Sequence, residues 1–172
     1  MHFTKIFLSL ALAGASVSAL PVEENGAAVE LETRASEVTC TPKNNQSGTK
    51  SFKVSMSYAT DQAKKAAFSK GKSGDPHNYG NGDNIQWGVK GCNVKGAQLW
   101  EYPIYWDDKK VNGKVQEWQK DSPSSGQAKT PIRVVYIVDN GTHDKRPKVC
   151  GVMTHSEVDK DFQGKDFFQK CT

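Results

Sequence analysis

The sequence predicts an α+β fold in which one α-helix packs on a small antiparallel β-sheet. The first observation is the alternation of apolar residues in KSFKVSMSY, at residues 50–58, which is the pattern of a strand. The second is a change to helical spacing at residues 60–71, where TDQAKKAAFSKG carries an alanine face. The third is that only short strand-like runs follow, separated by Gly, Asn, Asp and Pro clusters and without an internal repeat.

One helix and several strand-like runs can be placed in chain order. The helix is expected to begin at Thr60 or Asp61, either of which can cap its first turn, and to end at Gly71. The later strand-like runs are NIQWGV, AQLWEYPIYW, IRVVYIV and KVCGVMTH, at residues 84–89, 97–106, 132–138 and 148–155. The segment DFFQKCT closes the chain.

A long segment without sustained periodicity, Asp107–Thr130, joins two of these runs. It is rich in Lys, Asp, Ser and Gly, although Val111, Val115 and Trp118 could fold back on the core. Loops of this length in small domains are usually functional or mobile. A solvated surface excursion explains most of its residues equally well, so both interpretations stay open.

The N-terminal segment is expected to be absent from the mature protein. A short basic region, an apolar run at Ile6–Ala15 and small residues at Val17 and Ala19 are typical of a signal peptide at residues 1–19. The apolar run is shorter than the roughly 20 residues of a membrane-spanning helix. These features predict a secreted, soluble protein.

The acidic segment at residues 20–34 is either a disordered tail or a propeptide, and an abrupt change in composition after Arg34 favours the propeptide. A single domain then spans residues 35–172. The segment before it carries two basic residues and four glutamates, so its removal changes the net charge from +4 to +6. This balance favours a polyanionic partner such as RNA, DNA or an acidic membrane surface, although many secreted proteins are mildly basic for no such reason.

All four cysteines lie in the predicted domain, at positions Cys40, Cys92, Cys150 and Cys171. An even number in a secreted chain predicts two disulfides, and four cysteines allow three connectivities. Their spacing excludes the C-x-x-C pairs of a zinc site. A bond between the first and the last cysteine would tie the two ends of the domain together.

Four polar residues stand where short strands and a loop would not ordinarily need them. Glu101 interrupts the aromatic run LWEYPIY, where a carboxylate is costly to bury unless it is paired or has a task. Arg133 interrupts a β-branched run, and His155 ends another strand-like run. His77 follows a proline in a loop of Gly, Asn and Asp. Taken singly, each strand residue is better explained by a side chain that points outward from a one-sided sheet.

Together, one carboxylate, one guanidinium and two imidazoles are what metal-free cleavage of RNA requires. A base must remove the proton from the ribose 2′-OH, an acid must protonate the departing 5′-oxygen, and a fixed cation must stabilise the pentacoordinate phosphate. Arginine offers a bidentate fork to two phosphate oxygens. No metal or other cofactor is expected, because no group of Cys, His and carboxylate residues has metal-ligand spacing.

Several long and unusual strings occur in one order across residues 35–172, namely GKSGDPH, LWEYPIYW, TPIRVVY, CGVMTHS and FFQKC. In these strings the chain resembles the fungal ribotoxins, extracellular ribonucleases of the sarcin type, and within them the insecticidal branch of hirsutellin and anisoplin. A fainter resemblance extends to the guanyl-specific fungal ribonucleases through the Pro-His, Glu-aromatic-Pro, Arg-Val-Val and Thr-His elements. The resemblance implies a microbial ribonuclease-like fold.

The resemblance also implies a role for each unusual polar residue. Glu101 falls on the family's general base and His155 on its general acid. Arg133 falls on the arginine that binds the phosphate, and His77 on the histidine that assists the base and contacts the phosphate. Asp75 stands where sarcin-type proteins have tyrosine and the hirsutellin branch has aspartate. It could stabilise the His77 imidazolium or hold its tautomer, and a catalytic role of its own stays open.

Further positions match the family's pattern. Tyr136 and Phe168 align with residues that line the family's substrate site, although core aromatic residues explain both equally well. The cysteine pattern implies the pairs Cys40–Cys171 and Cys92–Cys150. The stretch between His77 and Glu101 is compact, whereas sarcin-type proteins carry a long, lysine-rich loop there that contacts the ribosome. The lysine-bearing segment Asp107–Thr130 could take over part of that contact.

By resemblance, the protein is predicted to be a secreted, monomeric, metal-independent endoribonuclease. It would cut one phosphodiester in the sarcin–ricin loop of large-subunit rRNA, through a 2′,3′-cyclic phosphate, and so stop translation. Its partners would be the ribosome and, during cell entry, an acidic membrane surface. Two alternatives stay open: a general, guanyl-preferring extracellular ribonuclease, and a catalytically silent secreted effector that uses the fold only for binding.

Overall fold

The computed structural model of the chain describes residues 36–141 and 143–172. The predicted signal peptide at residues 1–19 and the predicted propeptide at residues 20–34 lie outside the described residues, so both stay predictions. No helix in the described part is long and apolar enough to cross a membrane.

The described residues form ten strands, one α-helix and one 3₁₀ turn. In chain order these are β1 (Glu37–Cys40), β2 (Asn44–Asn45), β3 (Phe52–Ser55), α1 (Met56–Ala66), β4 (His77–Tyr79), β5 (Leu99–Ile104), β6 (Lys110–Val111), β7 (Lys114–Val115), the 3₁₀ turn (Ser124–Gly126), β8 (Ile132–Val138), β9 (Pro147–Val158) and β10 (Gly164–Lys170). The central antiparallel sheet has the order β10–β9–β8–β5–β4, and β2 pairs in parallel with the end of β9. The predicted α+β fold, one helix on a small antiparallel sheet, is therefore confirmed.

The helix α1 begins earlier than the sequence predicted. Ser55 caps it, because the Ser55 hydroxyl accepts a hydrogen bond from the Tyr58 N–H at 3.5 Å. The predicted caps Thr60 and Asp61 are wrong, since both lie inside the helix. The Thr60 hydroxyl instead donates to the Met56 carbonyl one turn earlier, at 2.8 Å.

Two other predicted boundaries also differ from the structure. The helix ends before Ala67, whose φ of 53° leaves the helical region, and does not continue to Gly71. The run NIQWGV forms no strand, because Gly88 takes a φ of 72° and Trp87 buries its side chain from a loop. A short apolar run indicates burial, but it does not by itself distinguish a strand from a buried loop.

The central sheet packs hydrophobic side chains on both of its faces. The face covered by α1 includes Tyr102, Ile104, Val134, Tyr136 and Val152. The other face includes Leu99, Val135 and Met153, and Trp87 from the loop before β5 belongs to the same buried cluster. Successive residues of a strand point to opposite faces. A polar residue on one of these strands therefore lies on the same face as the core residues two positions away.

Two disulfides close the fold with the pairing that the resemblance implied, Cys40–Cys171 and Cys92–Cys150. The first joins β1 to the end of the chain. There the Thr39 N–H donates to the Thr172 carbonyl at 2.7 Å, and the Thr172 N–H donates back to the Thr39 carbonyl at 3.1 Å. The second joins the loop before β5 to β9.

Removal of Cys40–Cys171 is expected to destabilise the protein by about 2–5 kcal/mol, the usual cost in a small secreted domain. Its cysteines are 131 residues apart, against 58 for Cys92–Cys150. In the chain-entropy account, the longer loop makes its loss costlier by about 0.7 kcal/mol. Denaturant unfolding of the two paired Cys→Ala variants measures both effects. An unchanged unfolding midpoint without Cys40–Cys171 would contradict the prediction.

The long loop Asp107–Thr130 is partly ordered by contacts with the core. β6 and β7 pair as a small hairpin within it. Val115 and Trp118 fold back on the core as expected, whereas Val111 remains 54% exposed. The Tyr102 hydroxyl donates to the Trp118 carbonyl at 2.9 Å, so the part of the loop after the hairpin is fixed to β5.

Candidate active site

The polar residues that the sequence singled out converge on the face of the sheet opposite α1. Glu101 on β5 lies directly across from His77 on β4. Glu101, Arg133 and His155 are each two residues along their strands from a core residue of this face, namely Leu99, Val135 and Met153. Strands β4, β5, β8 and β9 are consecutive neighbours in the sheet, so the four side chains come from adjacent strands.

His77 bridges two carboxylates. Its Nε2 lies 2.7 Å from Oε1 of Glu101, and its Nδ1 lies 3.0 Å from Oδ1 of Asp75. The imidazole is about half exposed, while both carboxylates are buried. The hydrogen bond with Asp75, followed by that with Glu101, raises the pKa of His77 to about 9 against the opposing effect of burial. At neutral pH His77 is therefore an imidazolium that donates from both ring nitrogens.

Glu101 keeps one carboxylate oxygen uncommitted. Its side chain is 7% exposed, and Oε1 accepts the hydrogen bond from His77. Oε2 is buried and has no hydrogen-bond partner among the residues that the structure describes. A buried polar atom without a partner is rare and calls for an explanation. A hydroxyl group of a bound substrate would provide the missing donor.

Arg133 is held as a fixed cation at the start of β8. Its Nη1 donates to the carbonyls of Thr130 and Ile132, both at 2.9 Å. Burial lowers the pKa of Arg133, whereas Glu101 and Asp75 act to raise it, and guanidinium groups remain charged in proteins. Nε is buried without a partner in the described part of the chain. The guanidinium therefore retains unused donor capacity for an anion.

His155 is oriented by β10. Its Nδ1 lies 3.1 Å from the Asp166 carbonyl, so this nitrogen carries a proton that it donates to the backbone. The Phe168 ring packs against the imidazole, with 4.0 Å between the ring centroids. Burial, followed by the charge of Arg133, lowers the pKa of His155. Nε2 is consequently the nitrogen left to exchange a proton with a substrate.

The residues that hold His155 were missed in the sequence. Asp166 adopts a left-handed φ of 63°, and its carboxylate accepts a hydrogen bond from the Ser156 hydroxyl at 3.2 Å. Gly164 packs so closely that a Cβ there would lie 2.2 Å from Cδ2 of His155. A glycine within a strand often marks such a close approach, so Gly164 carried a signal in the sequence, whereas the conformation of Asp166 did not.

Replacing Gly164 with alanine is expected to lower RNA cleavage by roughly 10²-fold, because displacement of a catalytic group by about 1 Å has that effect. The added methyl group must push the His155 ring aside. The matched control is Gly126→Ala, where an added Cβ meets nothing within 4 Å. Cleavage kinetics measure the effect, and near-UV circular dichroism reports on the fold. Wild-type rates in Gly164→Ala would contradict this account of His155.

The two predicted substrate-contact aromatics occupy different environments. Phe168 packs against His155 on the candidate site's face. Tyr136 lies on the opposite face and is completely buried, and its hydroxyl donates to the Ala67 carbonyl at 2.7 Å, next to the end of α1. Tyr136 exposes no surface that a substrate could contact. The structure thus gives Tyr136 a role in holding the helix.

No group of three or more His, Cys, Asp or Glu residues within residues 36–141 and 143–172 is arranged to hold a metal ion. The metal independence of cleavage stays a prediction, and a chelator tests it directly. The chemical groups at hand are a carboxylate with a free oxygen, two imidazoles in different environments and a guanidinium. These suffice for proton transfer and anion binding.

One helix on a small antiparallel sheet, closed by two disulfides, is a fold of the microbial ribonuclease type. The family model of ribonuclease matches residues 40–172. Hirsutellin A from Hirsutella thompsonii is 50% identical, with a TM-score of 0.61, and the match covers 80% of this chain and 100% of hirsutellin A. The chain therefore belongs to the ribotoxin family and is an endoribonuclease.

A second solved structure shares the fold at lower sequence identity. Restrictocin, a highly specific Aspergillus ribotoxin, is 22% identical with a TM-score of 0.58, over 79% of this chain and 99% of restrictocin. No curated protein sequence matches the chain.

Proposed function

We propose that the protein is a secreted ribotoxin that cleaves a single phosphodiester in the sarcin–ricin loop of large-subunit rRNA and so inhibits translation. The observation that carries the chemistry is the buried, unpartnered Oε2 of Glu101 beside a positively charged His77. The carboxylate needs a donor that the described protein does not supply, and a ribose 2′-OH is such a donor. Membership of the ribotoxin family, which acts on RNA, supports the choice of rRNA as the substrate.

The reaction is an in-line transphosphorylation within the RNA. Glu101 Oε2 takes the proton of the 2′-OH, and O2′ attacks the phosphorus to form a new O2′–P bond. The P–O5′ bond breaks, and His155 delivers a proton to O5′. The products are a 2′,3′-cyclic phosphate and a 5′-hydroxyl end, and protons and electron pairs balance without a cofactor. Acid and base groups of this kind contribute roughly 10²–10⁴-fold each.

Two cations stabilise the charge that develops on the phosphorane oxygens. Arg133 presents unused donor capacity from a rigid position, and His77 is kept protonated by Asp75 and Glu101. A protonated His77 cannot itself be the base, which leaves that role to Glu101. Asp75 acts through His77, because its Oδ1 contacts the imidazole from the side away from Glu101.

The protein is proposed to act as a monomer outside the producing cell. Residues 1–19 carry the features of a signal peptide, and two disulfides suit an oxidising compartment. The net charge of +6 expected for residues 35–172 suits rRNA and also an acidic membrane surface during entry. Unstacked nucleotides in an RNA loop can be reached by side chains far more easily than bases in a duplex.

Incubation of intact, translation-competent ribosomes with the purified protein tests the proposal. A single discrete rRNA fragment on a denaturing gel is the expected result, and cleavage of a short naked oligonucleotide should persist in EDTA. A smear of fragments would instead identify a general extracellular ribonuclease. Absence of cleavage in both ribosomes and naked RNA would identify a silent binding protein.

Replacing Lys109, Lys110 and Lys114 with alanine is expected to weaken cleavage of ribosomes while sparing a short naked oligonucleotide. These lysines lie on or next to the exposed β6–β7 hairpin, outside the candidate site. Each lost phosphate contact should reduce the slope of log affinity against log salt by roughly 0.7 for single-stranded RNA. Cleavage of both substrates across a salt series measures this.

A charge-matched control removes three exposed lysines from the β1–β3 and α1 region, namely Lys50, Lys53 and Lys64. It has the same net charge as the hairpin variant, so it separates a local contact from a general electrostatic effect. An equal loss on both substrates, or no loss on either, would remove the hairpin from ribosome docking.

A further inference from the structure

Asp75 is held in place from both sides by its own turn. Its N–H donates to the Ser73 hydroxyl at 3.1 Å, and its carbonyl accepts from the Gly71 N–H at 2.8 Å. These two bonds fix the backbone from which the carboxylate reaches Nδ1 of His77. The position of the His77 imidazole between its two carboxylates therefore depends on the turn formed by residues 71–75.

The turn formed by residues 71–75 contacts the second half of the long loop Asp107–Thr130, at Lys120. The Ser73 N–H donates to the Lys120 carbonyl at 2.9 Å. A Cβ at Gly71 would lie 2.4 Å from that same carbonyl oxygen, so only glycine allows the two backbones to approach this closely. The Lys120 ammonium donates to the Ala66 carbonyl at 2.9 Å and to the Ser69 hydroxyl at 3.0 Å, at the end of α1.

The segment that contains Lys120, which we name the anchor segment (Trp118–Ser122), is fixed to the sheet. Trp118 is buried, and its carbonyl accepts the Tyr102 hydroxyl at 2.9 Å. The Gln127 side chain closes the segment by bonding the Gln119 N–H and carbonyl at 2.7 and 2.8 Å. Tyr102 follows Glu101 on β5, so the anchor segment is bonded to the strand that carries the proposed base.

We propose that the anchor segment positions His77, through Ser73 and Asp75, and that Ser73 and Gly71 are positioning residues for the reaction. An unbroken series of hydrogen bonds runs from the Lys120 carbonyl through Ser73, Asp75 and His77 to Glu101. The β6–β7 hairpin belongs to the same loop, so the surface proposed to meet the ribosome and the support of His77 are parts of one structural unit. The effect on catalysis rests on the proposed role of His77, whereas the coupling itself does not.

NMR titration of the His77 ring protons tests the coupling without any RNA. Asp75→Asn gives the full effect of losing the carboxylate contact, which is the largest influence on the pKa of His77. Ser73→Ala and Gly71→Ala should each lower that pKa by about 1, part of the effect of a nearby charge. Ser73→Thr keeps the hydroxyl and should restore the wild-type value. Gly126 lies in the same long loop as the anchor segment, and an added Cβ there meets nothing within 4 Å. Gly126→Ala should therefore leave the pKa of His77 unchanged.

Cleavage of a short oligonucleotide by the same variants is the second measurement. Ser73→Ala is expected to lose roughly tenfold, mainly in kcat. A lowered pKa of His77 with unchanged cleavage would support the coupling and would remove His77 from the proposed reaction. A wild-type His77 pKa in both Ser73→Ala and Gly71→Ala would overturn the inference, even if cleavage fell. Ser73→Ala adds no bulk, so it tests the coupling should Gly71→Ala fail to fold.

Discussion

Glu101→Gln is expected to lower RNA cleavage by roughly 10²–10⁴-fold while the protein remains folded. The amide has nearly the same shape as the carboxylate, and its oxygen can still accept the hydrogen bond from His77 that Oε1 accepts now. It cannot take a proton from the ribose 2′-OH, so the loss should appear in kcat more than in KM. Single-turnover cleavage of an oligonucleotide measures it.

The same variant makes a second, independent prediction about His77. The pKa of His77, about 9 in the wild type, should fall because one of its two anionic partners is gone. It should stay above the ordinary value of 6.5, because Asp75 makes the larger contribution. Glu157→Gln is the matched control, because Glu157 is exposed near the end of β9. Cleavage by Glu101→Gln at the wild-type rate would remove Glu101 from the role of base.

Much of the fold could be predicted because hydrophobic periodicity is local. The runs at β5, β8 and β9 have the alternation or the β-branched content of strands, and the structure places strands there. The start of α1 could not be fixed locally, because Ser55, Thr60 and Asp61 all have capping side chains. Which of them caps the helix depends on where β3 ends, and its pairing with β1 decides that.

The composition of the candidate site was predictable, but its geometry was not. Residue chemistry and the family resemblance singled out Glu101, Arg133, His77 and His155. The contact between His77 and Glu101 depends on the register of β4 against β5, which the two sequence segments do not specify separately. Gly71 was interpreted as the end of the helix and Gly164 was overlooked, whereas both allow a distant segment to approach closely. Such contacts become visible only when both segments are placed in space.

His155→Gln is expected to cause a loss comparable to that of Glu101→Gln, roughly 10²–10⁴-fold, and to change the pH dependence as well. His155 must be protonated to act as the acid, and burial together with Arg133 places its pKa below the ordinary 6.5. In the wild type, kcat/KM should therefore fall about tenfold per pH unit once pH rises through that pKa. A further fall is expected near pH 9, where His77 loses its charge.

His155→Gln should lack the fall in kcat/KM at the pKa of His155, because the group that titrates there has been removed. It should retain the fall near pH 9, which belongs to His77. This pattern distinguishes loss of the acid from a general distortion of the site, which would lower the rate at every pH and leave both falls in place. His143→Gln is the control, since His143 lies in the exposed turn between β8 and β9. If His155→Gln kept the fall below pH 6.5, another group would have to be the acid, and the division of roles between Glu101 and His155 would be wrong.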